Sequence, residues 1–277
     1  MRLKPIILIV LFLAASHAFG QHYYNDLVVT GDIMKKRALY ELNKVKSVDF
    51  NSFDANAKPI EGFTCSQSVL NNFKQITTTT ATALSGSSEN TSFFNATGQL
   101  IQTIDTAEGN KTTVSYTYNA EKRISEVLSL SVSPGQFKNK EQHIWFYDKA
   151  GKPERMLKIK NDRDTTFIGF VLDANGNVEE EKSLNKGIVV TVYYYYDNKN
   201  HLTDIVRYNP RVKKLIPDYI FEYEDDGHLA TMLVVPEGTD DYQKWYYSYS
   251  EEGLKIADHC YSKSKVLIGK IEYKYQF

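Results

Sequence analysis

Hydrophobic and polar positions alternate with a period of two over much of this chain. The clearest example closes the sequence, where aromatic or aliphatic residues alternate with charged or polar ones: Ile271, Glu272, Tyr273, Lys274, Tyr275, Gln276 and Phe277. Shorter alternating runs cover 114–118 and 221–223. Successive side chains of a β-strand point to opposite faces, so this pattern predicts strands with one buried and one solvated face.

A short motif recurs between these segments: an anchor residue that is usually aromatic, a polar turn that often contains Gly, and an aliphatic residue. The copies begin at Phe53, Phe94, Tyr118, Tyr147, Leu172, Tyr196, Tyr223, Tyr249 and Tyr275. From Phe94 onward the anchors are 24, 29, 25, 24, 27, 26 and 26 residues apart. A period of this length marks a repeat architecture. The Asp/Asn-x-x-Gly turns supply residues that accept the backbone angles of tight hairpins.

We therefore predict an all-β fold, in which antiparallel β-hairpin repeats over residues 47–277 form an extended, twisted or curled meander sheet. Residues 21–46 form an N-terminal segment with one short helix that begins near Asp32 and covers an end of the sheet as a cap. The Ser/Thr-rich stretch predicts strands at Gln75–Ala83 and Thr91–Asn95 joined by a turn. A Ser/Thr linker is the alternative for that stretch.

Residues 1–20 have the pattern of a signal peptide. Arg2 and Lys4 precede an apolar run over 6–15, and small residues lie on either side of Phe19 ahead of Gln21. Ten apolar residues are too few for a membrane-spanning helix, although an uncleaved N-terminal anchor is the alternative. The sequence thus predicts an exported protein, periplasmic or extracellular, without a transmembrane helix in its mature chain.

The repeat resembles the YD repeats of Rhs-type bacterial exported proteins. The closest copies are Tyr147-Asp148-Lys149-Ala150-Gly151, 172–178 and 196–198, and the resemblance covers 94–277 and extends to 53–59. It implies hairpins strung into a long sheet, which in the largest members curls into a shell around a toxin. This chain has too few repeats to enclose another domain, and it carries neither an Rhs-type Asp-Pro-x-Gly junction nor a C-terminal effector domain. The resemblance therefore implies a short exported member without a toxin domain.

Charge and cysteine content narrow the possible partners. Removal of Arg2 and Lys4 from the 33 basic residues leaves 31 against 34 acidic ones, a net charge of −3. Nucleic acid is excluded as a partner because its phosphates demand concentrated positive charge. Cys65 and Cys260 would lie near opposite ends of an open row of repeats, so we favour unpaired thiols; a disulfide would mean that the row closes on itself.

Catalytic and metal-binding patterns are weak. The segment Asp173-Ala174-Asn175-Gly176-Asn177 lacks the Gly and Glu spacing of a calcium loop and is better explained as a hairpin turn. The histidines have no helical zinc spacing, and the chain has no Cys-x-x-Cys. His259 precedes Cys260, but a Cys/His nucleophile also needs an orienting third group. We expect no enzymatic activity, no cofactor and no metal site.

An aromatic ladder is the candidate binding surface. Most anchors have a second aromatic residue two positions earlier, on the same face of the strand. If exposed, these rings would form a stacking strip for a glycan or an apolar ligand: Trp145, Tyr147, Tyr194, Tyr196, Phe221, Tyr223, Trp245, Tyr247 and Tyr249. The alternative, which we favour, is that they form the core of a curled sheet, because large exposed apolar patches are rare on soluble monomers.

Three functional hypotheses follow. The first is an exported, non-enzymatic β-repeat protein with a structural or adhesive role at the cell envelope, contacting a glycan or a protein. The second is an outer-membrane β-barrel, favoured by the signal peptide, the even number of short strands and the terminal Phe277. Charges at Glu179, Glu180, Glu181 and Lys182, on both faces of one strand, count against it. The third, a secreted glycan-active hydrolase, has no positive feature.

Overall fold

Strands follow one another along nearly the whole chain, and each pairs with the next in antiparallel fashion. The computed structural model describes residues 22–83, 86–135, 137–209, 213–236 and 241–277, so the predicted signal peptide lies outside the described residues. Within these ranges there are eighteen strands. They are β1 Ser47–Asp54, β2 Phe63–Leu70, β3 Gln75–Thr82, β4 Gly86–Phe94, β5 Leu100–Ala107, β6 Asn110–Tyr118, β7 Ile124–Val132, β8 Lys138–Tyr147, β9 Pro153–Lys160, β10 Asp164–Leu172, β11 Val178–Asn185, β12 Ile188–Tyr196, β13 Leu202–Asn209, β14 Lys214–Tyr223, β15 Leu229–Val234, β16 Gln243–Tyr249, β17 Lys255–Ser262 and β18 Leu267–Gln276.

The sheet closes on itself. Strand β1 pairs with β2 on one side and with β18 on the other, in a continuous register from Ser47 opposite Gln276 to Asp54 opposite Gly269. The predicted open meander sheet is therefore wrong, and the fold is a closed antiparallel β-barrel. Closure removes the two unpaired edges that an open sheet would expose.

The predicted hairpin turns are confirmed. In the turn after β10, Asp173 accepts backbone N–H groups from Asn175 and Asn177 through one carboxylate oxygen. The N–H of Gly176 donates to the carbonyl of Asp173 at 3.0 Å, and Gly176 has a φ of +80°. We call the end of the barrel that carries these turns the Asx rim; its turns begin at Asn95, Asn119, Asp148, Asp173 and Asp197. Tight turns such as 186–187 lie at the opposite rim.

A register shift follows each of these turns and determines which residues face inward. Between Tyr195 and Tyr196 the pairing skips one residue, so that Tyr196 lies opposite Leu202. Both the anchor and the following aliphatic residue then pack into the same interior cluster. The shift explains why the motif places an apolar residue on each side of its turn. The Ser/Thr-rich stretch forms the predicted pair of strands, β3 and β4, but β4 begins at Gly86, five residues before the predicted Thr91.

The N-terminal helix lies inside the barrel. A π-helical segment, Tyr24–Val29, continues directly as the α-helix α1, Thr30–Leu42. Its side chains contact the inner wall on several sides: the ring centroids of Tyr23 and Tyr194 are 5.1 Å apart, and those of Tyr40 and Tyr275 are 6.2 Å apart. We expected this helix to cover an end of the sheet. It occupies the lumen instead, because so many strands enclose more space than their own side chains can fill.

The hydrophobic core is the layer between this helix and the wall. It consists of three clusters of inward side chains, and residues of the helix pack against each of them. Tyr40 belongs to the first cluster, Tyr24 packs against the second and Leu27 against the third. Among the described residues, no helix has the length and apolar character needed to cross a membrane.

Candidate functional site in the barrel lumen

Charged side chains lie towards both rims of the lumen. Towards the Asx rim, Arg37 of the helix donates to the carbonyl of Phe73 at 3.0 Å and pairs with Glu41 at 2.6 Å. Towards the opposite rim lies a cavity of about 270 Å³. It is lined mainly by polar and charged residues: His22, Lys158, Lys160, Asp164, Thr166, Ser183, Asn185, Val190, Val192 and Arg207. The start of the helix lies beside this cavity, since His22 is one of its lining residues.

Asp26 of the helix is bound by two side chains of β8. One of its carboxylate oxygens lies 2.6 Å from Nδ1 of His143 and accepts the indole N–H of Trp145 at 2.9 Å. All three residues are buried. Since a buried charge is tolerated only when it is paired and hydrogen-bonded, this contact holds the helix at one rotation and one depth in the lumen.

His143 continues the network on its other side. Its Nε2 lies 2.9 Å from a carboxylate oxygen of Glu141, and Lys158 contacts the same oxygen at 3.1 Å. The Lys158 ammonium is also 3.3 Å from Nε2 of His22, whose ring meets that of His143 edge to face. We call His22, Glu141, His143 and Lys158 the His22 cluster. Glu141 and His143 both face inward because they are two residues apart on one strand.

The electrostatics of the cluster follow from burial and pairing. Burial lowers the pKa of His22 well below its ordinary value, and the nearby cations lower it further. Burial would also lower the pKa of His143, but the carboxylates of Asp26 and Glu141 outweigh it and raise this pKa to about 9. His143 is therefore an imidazolium between two carboxylates at neutral pH, whereas His22 is neutral.

Glu181 caps the beginning of the helix. Its carboxylate accepts the backbone N–H of Tyr23 at 3.1 Å and the hydroxyl of Tyr194 at 2.9 Å. A carboxylate at a helix N-terminus is stabilised by the helix dipole and by the unpaired N–H groups there. Burial nevertheless raises the pKa of Glu181 to about 7. The acidic run that counted against a barrel thus contains one inward residue with a structural partner, between the outward Glu180 and Lys182.

The residues of the aromatic ladder lie on the inner face. Trp145, Tyr194, Phe221 and Trp245 are buried, and Tyr147, Tyr196, Tyr223, Tyr247 and Tyr249 are partly buried. Tyr24 of the helix packs against the stacked rings of Tyr219 and Phe221, at 5.9 and 6.2 Å. These rings therefore contact the helix and one another. Their role as a binding surface for a ligand stays a prediction.

The structure does not bring the cysteine and histidine candidates together into a catalytic arrangement. His259 and Cys260 point to opposite faces of β17, and burial raises the pKa of the Cys260 thiol to about 12. Cys65 and Cys260 are buried free thiols on β2 and β17, with β1 and β18 between those strands. Nucleophilic chemistry at Cys260 has no support from this geometry.

Sequence reasoning did not identify Asp26, Glu141, His143 or Glu181 as functional. A signal was available for two of them, since Glu141 and His143 continue the inward alternation of Trp145 and Tyr147 with polar residues. Polar residues at core positions of a strand require partners. The partner of His143, Asp26, lies more than a hundred residues away on the helix, where no local pattern reveals it.

No protein-family model matches this chain, and no curated protein matches it. Several solved structures are similar to it at low TM-score. A porin-like protein from Bacteroides uniformis is 11% identical and matches with a TM-score of 0.41, over 84% of this chain and 98% of that one. A porin-like protein from Bacteroides vulgatus is 12% identical with a TM-score of 0.31, over 84% and 98% of the two chains.

The Photorhabdus luminescens Tc holotoxin pore is also similar, with 14% identity, a TM-score of 0.35 and 78% of this chain covered. This chain spans only 12% of that toxin chain. TM-scores this low carry no argument about activity. The resemblance to YD repeats consequently remains a similarity of motif, with no more than a weak hint from the fold.

The closed wall distinguishes between the hypotheses drawn from the sequence. It supports the outer-membrane β-barrel better than the open repeat sheet, because every strand has two neighbours. An all-β fold of this kind is also compatible with the expected location in the cell envelope.

Proposed function

We propose that this chain is a non-enzymatic, outer-membrane-associated β-barrel of the cell envelope whose lumen is occupied by its own N-terminal helix. The observation that carries the proposal is the attachment of this helix to the closed wall. Asp26 of the helix binds His143 and Trp145 of β8, and Glu181 of β11 accepts the backbone N–H of Tyr23. A bore occupied by a buried, hydrogen-bonded helix does not serve as an open diffusion channel. Its role is structural or binding, with an envelope glycan or protein as the partner.

The proposed membrane contact is one side of the outer wall. The strand register places five apolar residues from β8 to β12 side by side on the outer face: Ile144, Leu157, Phe167, Leu184 and Val189. We call these five residues the apolar row. Phe167 and Val189 are 59% and 61% exposed, and an exposed apolar surface of this kind marks a contact with a membrane or a partner.

The opposite side of the wall is charged. Its register aligns Phe53, Lys270, His259 and Tyr246 across the outer face, with Glu272 on the next row. A Lys or Arg side chain facing lipid at the membrane centre costs about 2–4 kcal/mol. Since Glu180 and Lys182 also face outward on β11, the contact that we propose is limited to the apolar row itself, with the charged side of the wall facing water or a protein.

Flotation with liposomes of phosphatidylethanolamine and phosphatidylglycerol tests this contact. The wild-type protein should float with the lipid, and Phe167→Asp combined with Val189→Asp should abolish flotation without loss of the fold. The matched control is Tyr246→Asp, an outward aromatic residue on the charged side that is 44% exposed, which should float normally. A wild-type protein that remains with the soluble fraction would refute the membrane association.

Fractionation of cells decides the location. We expect the exported protein in the outer-membrane fraction before, but not after, a urea wash; protection from added protease in intact cells would place it on the periplasmic side. Retention after the wash, with a mobility shift on unheated gels, would show that the wall spans the membrane.

An activity screen on polysaccharides and esters should find no turnover. Turnover that is abolished by Glu141→Gln in a folded variant would contradict the non-enzymatic assignment.

A further inference from the structure

The His22 cluster brings together three of the side chains that transition metals prefer. Nitrogen atoms of His22 and His143 and a carboxylate oxygen of Glu141 all lie within 4.8 Å of one another. Two of these residues lie on the inner face of β8, and the third, His22, lies two residues before the π-helical segment. The three donors therefore meet only when the helix is seated in the lumen.

A second carboxylate orients the His143 ring. Asp26 lies 2.6 Å from Nδ1 of His143, which leaves Nε2 directed at Glu141 and towards His22. Asp26 is itself fixed by the indole N–H of Trp145. A carboxylate that accepts from the remote nitrogen of a histidine is the usual outer partner in metal sites, where it fixes the tautomer and the ring orientation.

We propose that His22, Glu141 and His143 form a binding site for a divalent transition metal ion of the zinc class. Two imidazole nitrogens and one carboxylate are a donor set that zinc accepts, and a tetrahedral ion has one further position. His22 also lines the 270 Å³ cavity, so that this fourth position can be reached by water or a small ligand from the opposite rim.

Lys158 is the competitor for the site. Its ammonium lies 3.1 Å from Glu141 and 3.3 Å from His22, where it supplies positive charge to the same donors. The long Lys158 side chain also lines the cavity, which gives the ammonium a space to enter when a metal ion binds. A bound metal ion would therefore displace the Lys158 ammonium and the Nε2 proton of His143, whose Nδ1 stays paired with Asp26.

Titration of the purified full mature chain with Co²⁺ and then Zn²⁺ tests the proposal. We expect one Co²⁺ per chain with the visible absorption of a tetrahedral site, and its displacement by Zn²⁺. His22→Gln and Glu141→Gln should each weaken binding by at least about tenfold, because each removes a direct ligand, and Asp26→Asn by about 10–100-fold. Lys158→Met should strengthen binding, since it removes the competing ammonium and leaves all three ligands in place.

Two controls keep the result specific. His259→Gln changes an outward histidine on β17 and should leave the titration unchanged. Asp226→Asn alters a second group of possible ligands on the Asx rim (Glu224, Asp226 and His228) and should also have no effect. Circular dichroism and gel filtration show whether each variant is folded, and Lys158→Met retains every ligand should the others unfold.

The proposal is overturned if neither the wild-type protein nor Lys158→Met binds a stoichiometric metal ion. It is equally overturned if binding persists in folded His22→Gln and Glu141→Gln but is lost in Asp226→Asn, which would assign the ion to the rim.

Discussion

The hydroxyl of Tyr223 donates a hydrogen bond of 2.8 Å to the carbonyl oxygen of Leu202, the first residue of β13. Leu202 lies beyond the last paired residues of β13 and β14, which are Asp204 and Ile220. The side chain at the end of β14 thus supplies a donor to a carbonyl that the strand ladder does not reach. Leu202 is buried, and a buried carbonyl without a donor would be costly, so the hydroxyl completes the pairing there.

The same bond recurs around the Asx rim. It joins Tyr118 to Leu100, Tyr147 to Ile124, Tyr196 to Val178, Tyr249 to Leu229 and Tyr275 to Lys255, at 2.7–3.0 Å. The register shift after each turn creates this need, and a tyrosine anchor meets it. The repeat therefore selects tyrosine over phenylalanine for a reason of backbone geometry.

Replacement of the hydroxyl tests this explanation. Tyr223→Phe keeps the ring but leaves the Leu202 carbonyl without its donor, so we expect a loss of about 1–2 kcal/mol in the free energy of unfolding. Urea denaturation measures it. Tyr195→Phe is the matched control: that ring is 47% exposed on the outer face of β12 and should change stability by less than about 0.5 kcal/mol. Equal effects of the two substitutions would contradict the proposed role.

The turns could be predicted from the sequence because their determinants are local. Asp173 and Gly176 are three residues apart, and the carboxylate oxygen that accepts two N–H groups belongs to the same turn. The inward side of each strand was equally accessible, since it follows from alternation. The closure of the barrel could not be predicted in this way. The pairing of Ser47 with Gln276 joins the two ends of the domain and leaves no trace in either segment alone.

The position of the helix also lay beyond local pattern. A surface cap would show one apolar stripe, whereas this helix contacts the wall on several sides and has only a loose periodicity. Asp26 and Tyr40 are buried against β8 and β18, at different positions around the lumen. Such a sequence can be recognised as interior only when the closed wall around it is known.

Truncation of ladder residues separates a core role from a recognition role. Tyr196→Ala and Tyr223→Ala remove partly buried rings together with their hydroxyl bonds, so each should cost at least about 2 kcal/mol of stability. We expect the wild-type protein to bind no glycan specifically on an array. Near-normal stability combined with loss of a glycan ligand would show that the ladder is a recognition surface.

The contact between Asp26 and β8 should be the main attachment of the helix. Asp26→Asn removes one partner of a buried, charge-assisted pair, and such changes cost about 3–5 kcal/mol. The double variant Asp26→Asn, His143→Gln should lose less stability than the sum of the two single losses, because both substitutions break the same network. Asp32→Asn on the exposed side of the same helix, where the residue pairs with the exposed Lys35, should change stability by less than about 0.5 kcal/mol.

Asp258 gives the barrel a defined dependence on pH. It is 5% exposed on the inner face of β17, where it accepts the Tyr273 hydroxyl at 2.7 Å and lies 3.4 Å from the Lys255 ammonium. Burial raises its pKa above the ordinary value of 3.8, although Lys255, Tyr273 and His259 act in the opposite direction. The burial of its carboxyl group near Tyr247 is thus easiest when the group is protonated.

The sign of the effect follows from the raised pKa. Below pH 3.8 Asp258 is protonated in both the folded and the unfolded chain, and its contribution to stability is fully present. As the pH rises from there through the folded-state pKa, the folded chain retains the proton longer, so this contribution is lost. Urea denaturation of the wild-type protein and Asp258→Asn across this range measures the difference. The variant should gain stability relative to the wild type as the pH rises, and a constant difference between the two would show that Asp258 titrates normally in the barrel.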